Sequence, residues 1–198
     1  MVKHNMFRIS LACGAMLLAA GCSSKTDNSK ANFKTAINHY YAAHPSCVWS
    51  QAKKFPIQAA TADESKTEGL DALTDAGLLK RTTEEKKRFL IGSKQVNDYD
   101  VSAEGRSDWT QDPTQPGYGN FCYGHREVDR IDNFTTAVNS SGTKTAQVNY
   151  RFSMTDVPGW AKSQEMRTAF PQLNGAVVGT EPAQATLTMN GNNWQIAQ

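Results

Sequence analysis

This 198-residue chain is short of net charge, histidine and cysteine, and each shortage removes a class of function. Twenty-one Lys and Arg stand against nineteen Asp and Glu; setting aside Lys3 and Arg8 at the start, the remaining nineteen cations balance the acids. A formally neutral chain lacks the clustered positive face that a phosphate backbone requires, so no nucleic-acid partner is expected. Beyond His4 there are only His39, His44 and His125, with no Gly-x-Ser-x-Gly elbow, so no nucleophilic triad is assigned. Asp98, Asp100, Glu104 and Asp108 follow no calcium-loop spacing and read as solvated turns and edge-strand protection. No glycine loop suited to phosphate is present. Ser141-Gly142-Thr143-Lys144 fits a Ser-x-x-Lys pattern. It lies in a polar, glycine-containing turn with no Lys-Thr-Gly after it, and a hairpin loop is expected there. No catalytic residue, metal or cofactor is therefore assigned. The only long apolar run, Ile9 to Ala20, falls short of the roughly 20 residues a spanning helix needs.

What that run does fit is an export leader. Lys3 and Arg8 precede it, no acid interrupts it, and it ends in small residues. The stretch Leu17-Leu18-Ala19-Ala20-Gly21-Cys22 resembles the lipobox of bacterial lipoproteins, although Ala19 stands where that family most often has Leu. The resemblance implies a diacylglyceryl thioether on Cys22 and cleavage before it by the type II signal peptidase. Ser23 in place of Asp resembles the pattern that directs such proteins to an outer membrane. Residues 1–21 are then a leader. Residues 22–30, with no apolar side chain after Cys22, are expected to be a flexible tether. Two or more acyl chains anchor stably, at about 0.8 kcal/mol per buried methylene, so the membrane is a partner through lipid alone.

Of the four cysteines, Cys13 leaves with the leader and Cys22 carries lipid. Cys47 and Cys122 remain, and in an oxidising envelope they most simply form a disulfide. The same segments also offer a different chemistry. His44-Pro45-Ser46-Cys47 and Cys122-Tyr123-Gly124-His125 together present two sulfurs and two nitrogens suited to zinc.

Along the first half the periodicity is helical. Phe33, Ile37 and Tyr40/Tyr41 predict a helix over 31–43. Thr61 with Glu64 suggests a capping box for a second helix, which carries Leu70 and Leu73 and stops at Gly77 with Leu78 folding back. Phe89-Leu90-Ile91, then Gly92-Ser93, then Gln95 to Val101 predict a β-hairpin. Leu70-Asp71-Ala72-Leu73-Thr74-Asp75-Ala76-Gly77-Leu78-Leu79 and Tyr99-Asp100-Val101-Ser102-Ala103-Glu104-Gly105 resemble the recognition-helix end and wing of winged-helix proteins. No basic helix accompanies them, so the resemblance implies a protein-contact or structural module.

Asp108 to Gly124 is rich in Pro, Gly and aromatics and is expected to be a functional loop or a divider. Beyond it the pattern is β. Ala146 to Met154 alternates with five apolar side chains on one face, which predicts a sheet with one side buried and one wet. Tyr123 to Phe134 is its expected neighbour, with a bulge around Val128–Ile131. Pro158 to Phe170 is helical, and Ala185 to Ile196 is a hairpin turned at Asn190-Gly191. That last hairpin, with Trp194 and Ile196 after a polar turn, resembles the closing hairpin of NTF2-like and cystatin-like domains. This implies a curved sheet packed with helix.

The fold class expected is α+β. A helical, winged-helix-like part with a β-hairpin spans 31–107, and a curved antiparallel sheet packed with helix spans 108–198, either apart or as one domain over 31–198. The function expected is that of a lipid-anchored envelope protein with a non-enzymatic binding or assembly role toward another envelope protein or cell-wall glycan. Trp109, Tyr118, Tyr123 and Arg126 are its candidate contacts, since exposed aromatics near glycines grip sugar rings or peptide side chains. The rival is an envelope hydrolase, or an inhibitor of a cell-wall enzyme, working near His125.

Overall fold

The computed structural model describes residues 24–88 and 92–197; the leader, Cys22 of the lipobox, and Phe89-Leu90-Ile91 of the expected hairpin lie outside them. The fold is α+β. The elements run α1 (Lys30–Ala43), β1 (Lys53–Lys54), β2 (Ile57–Ala60), α2 (Glu64–Asp75), β3 (Leu79–Arg88), β4 (Gly92–Val101), β5 (Trp109–Gln111), β6 (Tyr118–Phe121), β7 (His125–Val138), β8 (Lys144–Thr155), α3 (Gln164–Ala169), β9 (Glu181–Asn190) and β10 (Asn193–Ile196). Three antiparallel sheets result, in the orders β1-β6-β5, β2-β4-β3 and β10-β9-β8-β7.

The four-stranded sheet is a simple meander with α1 laid across one face. In β8, Ala146, Val148, Tyr150 and Phe152 are buried and alternate with polar neighbours, as a half-wet sheet demands. Ser29 caps α1 by accepting from the Asn32 N–H (3.2 Å), and the helix drives Phe33 and Ile37 into the sheet. Phe33 meets Phe134 and Trp194 edge-on, each 4.9 Å away between ring centres. The bulge expected near Val128–Ile131 appears as two register shifts, between Val128 and Arg130 and between Ile131 and Asn133.

A second core gathers Leu70, Leu73, Leu78, Tyr99, Phe121 and Phe170 with their neighbours. It takes residues from α2, the β2-β4-β3 sheet, the small β1-β6-β5 sheet and α3. The two cores do not divide the chain at residue 108. α1 belongs with the meander, while β5, β6 and α3 belong with α2 and the hairpin. Residues 45–124 form a unit inserted between α1 and β7, and residues 157–176 leave the meander to complete it. Met154, at the end of β8, packs against both cores.

Several local expectations need correction. α2 starts after Asp63, which makes no side-chain cap bond, and Thr61 turns instead toward the Gln95 carbonyl (3.4 Å), so no capping box forms. The stop at Gly77 does form: Leu78 N–H reaches Leu73 O and Gly77 N–H reaches Thr74 O, both 2.9 Å, with Gly77 at φ +79°. The hairpin's first strand begins at Leu79, and Arg88 pairs with Gly92, so Gly92-Ser93 opens β4 rather than making the turn. The final turn lies at Gly191-Asn192, since Asn190 pairs with Asn193. The segment 24–29, expected to be loose, is tied down. Asn32 Nδ2 donates to Ser24 O (2.8 Å) and Asp27 O (3.0 Å), and Trp194 Nε1 donates to Asp27 O (3.2 Å).

Candidate functional site

The chain passes between the two units at a neck where chemistry-bearing residues collect. Cys47 and Cys122 face each other across an antiparallel bridge and are joined by a disulfide. Backbone bonds continue the ladder on both sides: Val48 N–H to Phe121 O (2.9 Å), Tyr123 N–H to Ser46 O (2.7 Å) and Ser46 N–H to Gly124 O (2.8 Å). With both sulfurs consumed, the zinc alternative loses its thiolates. His44 stacks on Tyr40 (4.1 Å), with Nδ1 2.7 Å from the Tyr40 carbonyl. Among the described residues no group of three or more His, Cys, Asp and Glu is placed to hold a metal ion.

His125 opens β7 opposite Thr155. Its Nε2 lies 3.2 Å from Thr155 Oγ1 and its Nδ1 3.5 Å from an Asp156 carboxylate that is 80% exposed. His125 lines neither of the two recesses described below, and its carboxylate neighbour Asp156 stands in solvent. Arg126 lies over Phe152 (4.5 Å) and Tyr41 (5.3 Å) and donates to the Tyr41 hydroxyl (3.4 Å), which lies 3.2 Å from that of Tyr150. Burial first, and the neighbouring Tyr41 second, push the Tyr150 phenol well above its usual range. Arg126 therefore covers the edge of the meander core as a cation on aromatic faces.

The aromatic segment is structural in the same way. Trp109 is half-buried, edge-on to Phe121 (5.0 Å) and Phe55 (5.4 Å). Its indole lies so close over Gly119 that a Cβ there would fall 2.5 Å from it. Tyr123 is buried, and that burial raises its phenol pKa. Tyr118 is half-exposed, with the Lys54 ammonium 5.9 Å from its ring. The four expected contact residues thus form no common surface. The segment folds into β5 and β6, and folding turns Trp109, Phe121 and Tyr123 inward to build the inserted core, with Tyr118 left half-exposed. Apolar area gains more from burial than from display, at about 25 cal/mol per Å².

Two features went unnoticed in the sequence. The first is a polar network under α2. Asp71 Oδ1 accepts from Arg81 Nη1 (2.5 Å) and from the buried Tyr99 hydroxyl (2.7 Å). That hydroxyl accepts from Asn97 Nδ2 (3.1 Å), and Asn97 Oδ1 accepts from Thr83 (2.8 Å). Burial and then Asp71 raise the Tyr99 phenol, while Asp71 holds the Arg81 guanidinium more firmly protonated. The network locks the α2 helix to the β3–β4 hairpin. The second is an open recess of about 590 Å³ between α2 and α3, with Glu68, Asp71, Asp75 and Glu165 among its lining. A smaller recess lies at the opposite end of the molecule, beside Thr26 and Lys144. Glu68, Asp71 and Asp75 sit at helical spacing on α2, which is the only trace of the larger recess in the sequence; α3, which supplies its other wall, is about 90 residues away by simple residue numbering.

No known protein family, no curated protein and no solved structure matches this chain.

Proposed function

We propose that the chain is a lipid-anchored protein of the bacterial cell envelope with a non-enzymatic binding or assembly role. Cys22 is acylated after removal of residues 1–21, and the globule faces the periplasm from an outer membrane. The observation that carries this reading is one pairing: an export leader ending in Ala20-Gly21-Cys22, followed by a fold whose remaining cysteines, Cys47 and Cys122, are disulfide-bonded. Such bonds persist in an oxidising compartment, where the leader would deliver the chain.

The role is put as binding or assembly because the reactive side chains already serve structural contacts. Both thiols form the neck bond, His44 stacks on Tyr40, and Arg126 lies on aromatic rings. Trp109 and Tyr123 are taken up by the inserted core, which leaves no aromatic platform for glycan among the four residues expected to make one. Another envelope protein is therefore the favoured partner. The inserted unit, with its resemblance to a winged-helix module, is the part that would be presented to it.

The test is expression of the full chain and of Cys22→Ala in a diderm bacterium fed a clickable fatty acid. The full chain is expected to take up label and to sediment with outer membranes. Cys22→Ala is expected to lose both properties. An unlabelled wild-type chain in the soluble fraction would overturn the proposal.

A further inference from the structure

We infer that the meander stands on the bilayer by one defined pole, the end formed by the β7–β8 and β9–β10 turns, and holds the inserted unit away from the lipid. This rests on the proposed acylation of Cys22 and adds to it a lipid-contacting surface and an orientation.

Chain length sets the distance. Ser24 follows Cys22 by two residues, which span at most about 7 Å when extended. Ser24 is itself fastened to the globule: its N–H donates to Asp27 Oδ2 (2.9 Å), its carbonyl accepts from Asn32 (2.8 Å), and Asp27 is held in turn by Trp194. The anchor therefore connects to a fixed point instead of a long leash. That point has definite neighbours, because Thr26 shares an open recess of about 480 Å³ with Ser141, Lys144, Met189 and Gly191. Whatever draws Cys22 into the headgroup layer brings these turns with it.

The surface suits that contact. No acid occurs between Asp132 and Asp156, or after Glu181, so both hairpin ends at this pole are free of carboxylates. Lys25 and Lys144 lie there. So does Val138, paired in register with Lys144 and 65% exposed, one of the most exposed large apolar residues in the described structure. The carboxylate of Asp27 is occupied by the Ser24 N–H. Lysines and an exposed aliphatic side chain among neutral polar residues match an anionic headgroup surface.

The opposite pole is its inverse. His125 pairs with Thr155, and Phe152 with Glu181, at the far end of the same sheet. All four passages to and from the inserted unit leave from that end. Beyond it lie Glu68, Asp75 and Glu165 around the larger recess, acids that an anionic bilayer would repel, beside Asp71, which Arg81 already neutralises. Standing on the turn pole keeps them in the aqueous space.

The test uses the full acylated chain in vesicles of phosphatidylethanolamine and phosphatidylglycerol, with acylation of Cys22 checked by mass on the same sample. An environment-sensitive fluorophore is attached through Ser141→Cys in one sample and through Glu68→Cys in another. The label at 141 is expected to shift to the blue and to resist quenching by aqueous iodide, while the label at 68 stays quenchable. A Gly-Ser insertion of about 20 residues after Ser23 is expected to abolish the difference while leaving the protein membrane-bound. Equal quenching at both positions on acylated protein would overturn the orientation and leave the anchor standing. An unmodified Cys22 would overturn both. Protection at 141 that is already complete in the non-acylated Cys22→Ala chain, in buffer with neither vesicles nor detergent, would assign this pole to a second copy of the chain and overturn the lipid contact.

Discussion

The meander and the inserted unit solve the problem of burial in opposite ways. In the meander, apolar side chains alternate along β8, the two register shifts in β7 bring Val128, Ile131 and Phe134 to the same face, and α1 closes that face with Phe33 and Ile37. The two-residue period of the strands, reset at those shifts, builds the sheet side of this core. The inserted unit has two three-stranded sheets, one of them built on the long β3–β4 hairpin, and borrows α3 from beyond β8. It is held by edge-on and tilted aromatic pairs among Trp49, Phe55, Trp109, Phe121, Trp160 and Phe170. A polar network and a disulfide at its base complete it. The difference teaches that a core made from regular elements tolerates an insertion of this size only where the ends of the insertion are clamped together.

The largest expected effect lies in the meander. Trp194→Ala removes a buried indole that touches Phe33 and bonds to Asp27 O. It should cost about 3–5 kcal/mol in denaturant unfolding. A loss under about 1 kcal/mol would mean that the site collapses freely, and this account of the core would fail.

Next is the neck. Replacing Cys47 and Cys122 by Ser opens a loop with a sequence separation of 75 residues, and the expected loss is about 2–5 kcal/mol. The comparison predicts where the loss appears. Amide exchange should rise more across β3 to β6 than across β7 to β10. Equal acceleration in both units would show that the clamp serves the whole molecule and not its insertion.

Tyr99→Phe is a smaller and more local change. It leaves Asn97 Nδ2 without its acceptor and takes one donor from Asp71, for about 1–3 kcal/mol. Because Arg81 still holds Asp71, the double variant Tyr99→Phe/Asp71→Asn should fall short of the summed single losses. Strict additivity in such a cycle would contradict a shared network.

The smallest effect is acid sensitivity. Lys66 beside Asp63, the Thr114 hydroxyl at Asp112 and Arg130 beside Asp132 each hold a carboxyl below its ordinary range. A carboxyl depressed in the folded state contributes stability that is complete above its unfolded value, near pH 4. That contribution is lost as pH falls through the lower native value. All three sit at the surface in contact with solvent, which screens them, so the melting temperature should decline only gently below about pH 4. Two of the three lie in the inserted unit, so Asp63→Asn/Asp112→Asn should flatten the decline more than Asp132→Asn does. The reverse order would place acid sensitivity in the meander.

This contrast also explains what could be seen in the residues. β8, α1 and the stop at Gly77 were legible because each obeys a local rule: alternation, helical spacing, or a glycine forced to positive φ. β3 was mostly missed because Leu79 to Arg88 is polar on both faces and carries no alternation; its partner β4 defines it. Trp109 and Tyr123 looked like a display because composition cannot say which way a ring points, and only Phe121 and Phe55, distant in sequence, turn the Trp109 ring inward. Thr61 and Glu64 had the spacing of a capping box, but the hairpin carbonyl of Gln95 won the hydroxyl. The Asp71–Tyr99 pairing and the recess between α2 and α3 depend on contacts across long stretches of chain, for which a single sequence holds no rule.

The measurement that bears most directly on the account is the mass of the mature N-terminal peptide from natively expressed protein. The account predicts that Cys22 is the first residue and carries a diacylglyceryl thioether. A chain retaining residues 1–21, or beginning at an unmodified Cys22, would contradict it.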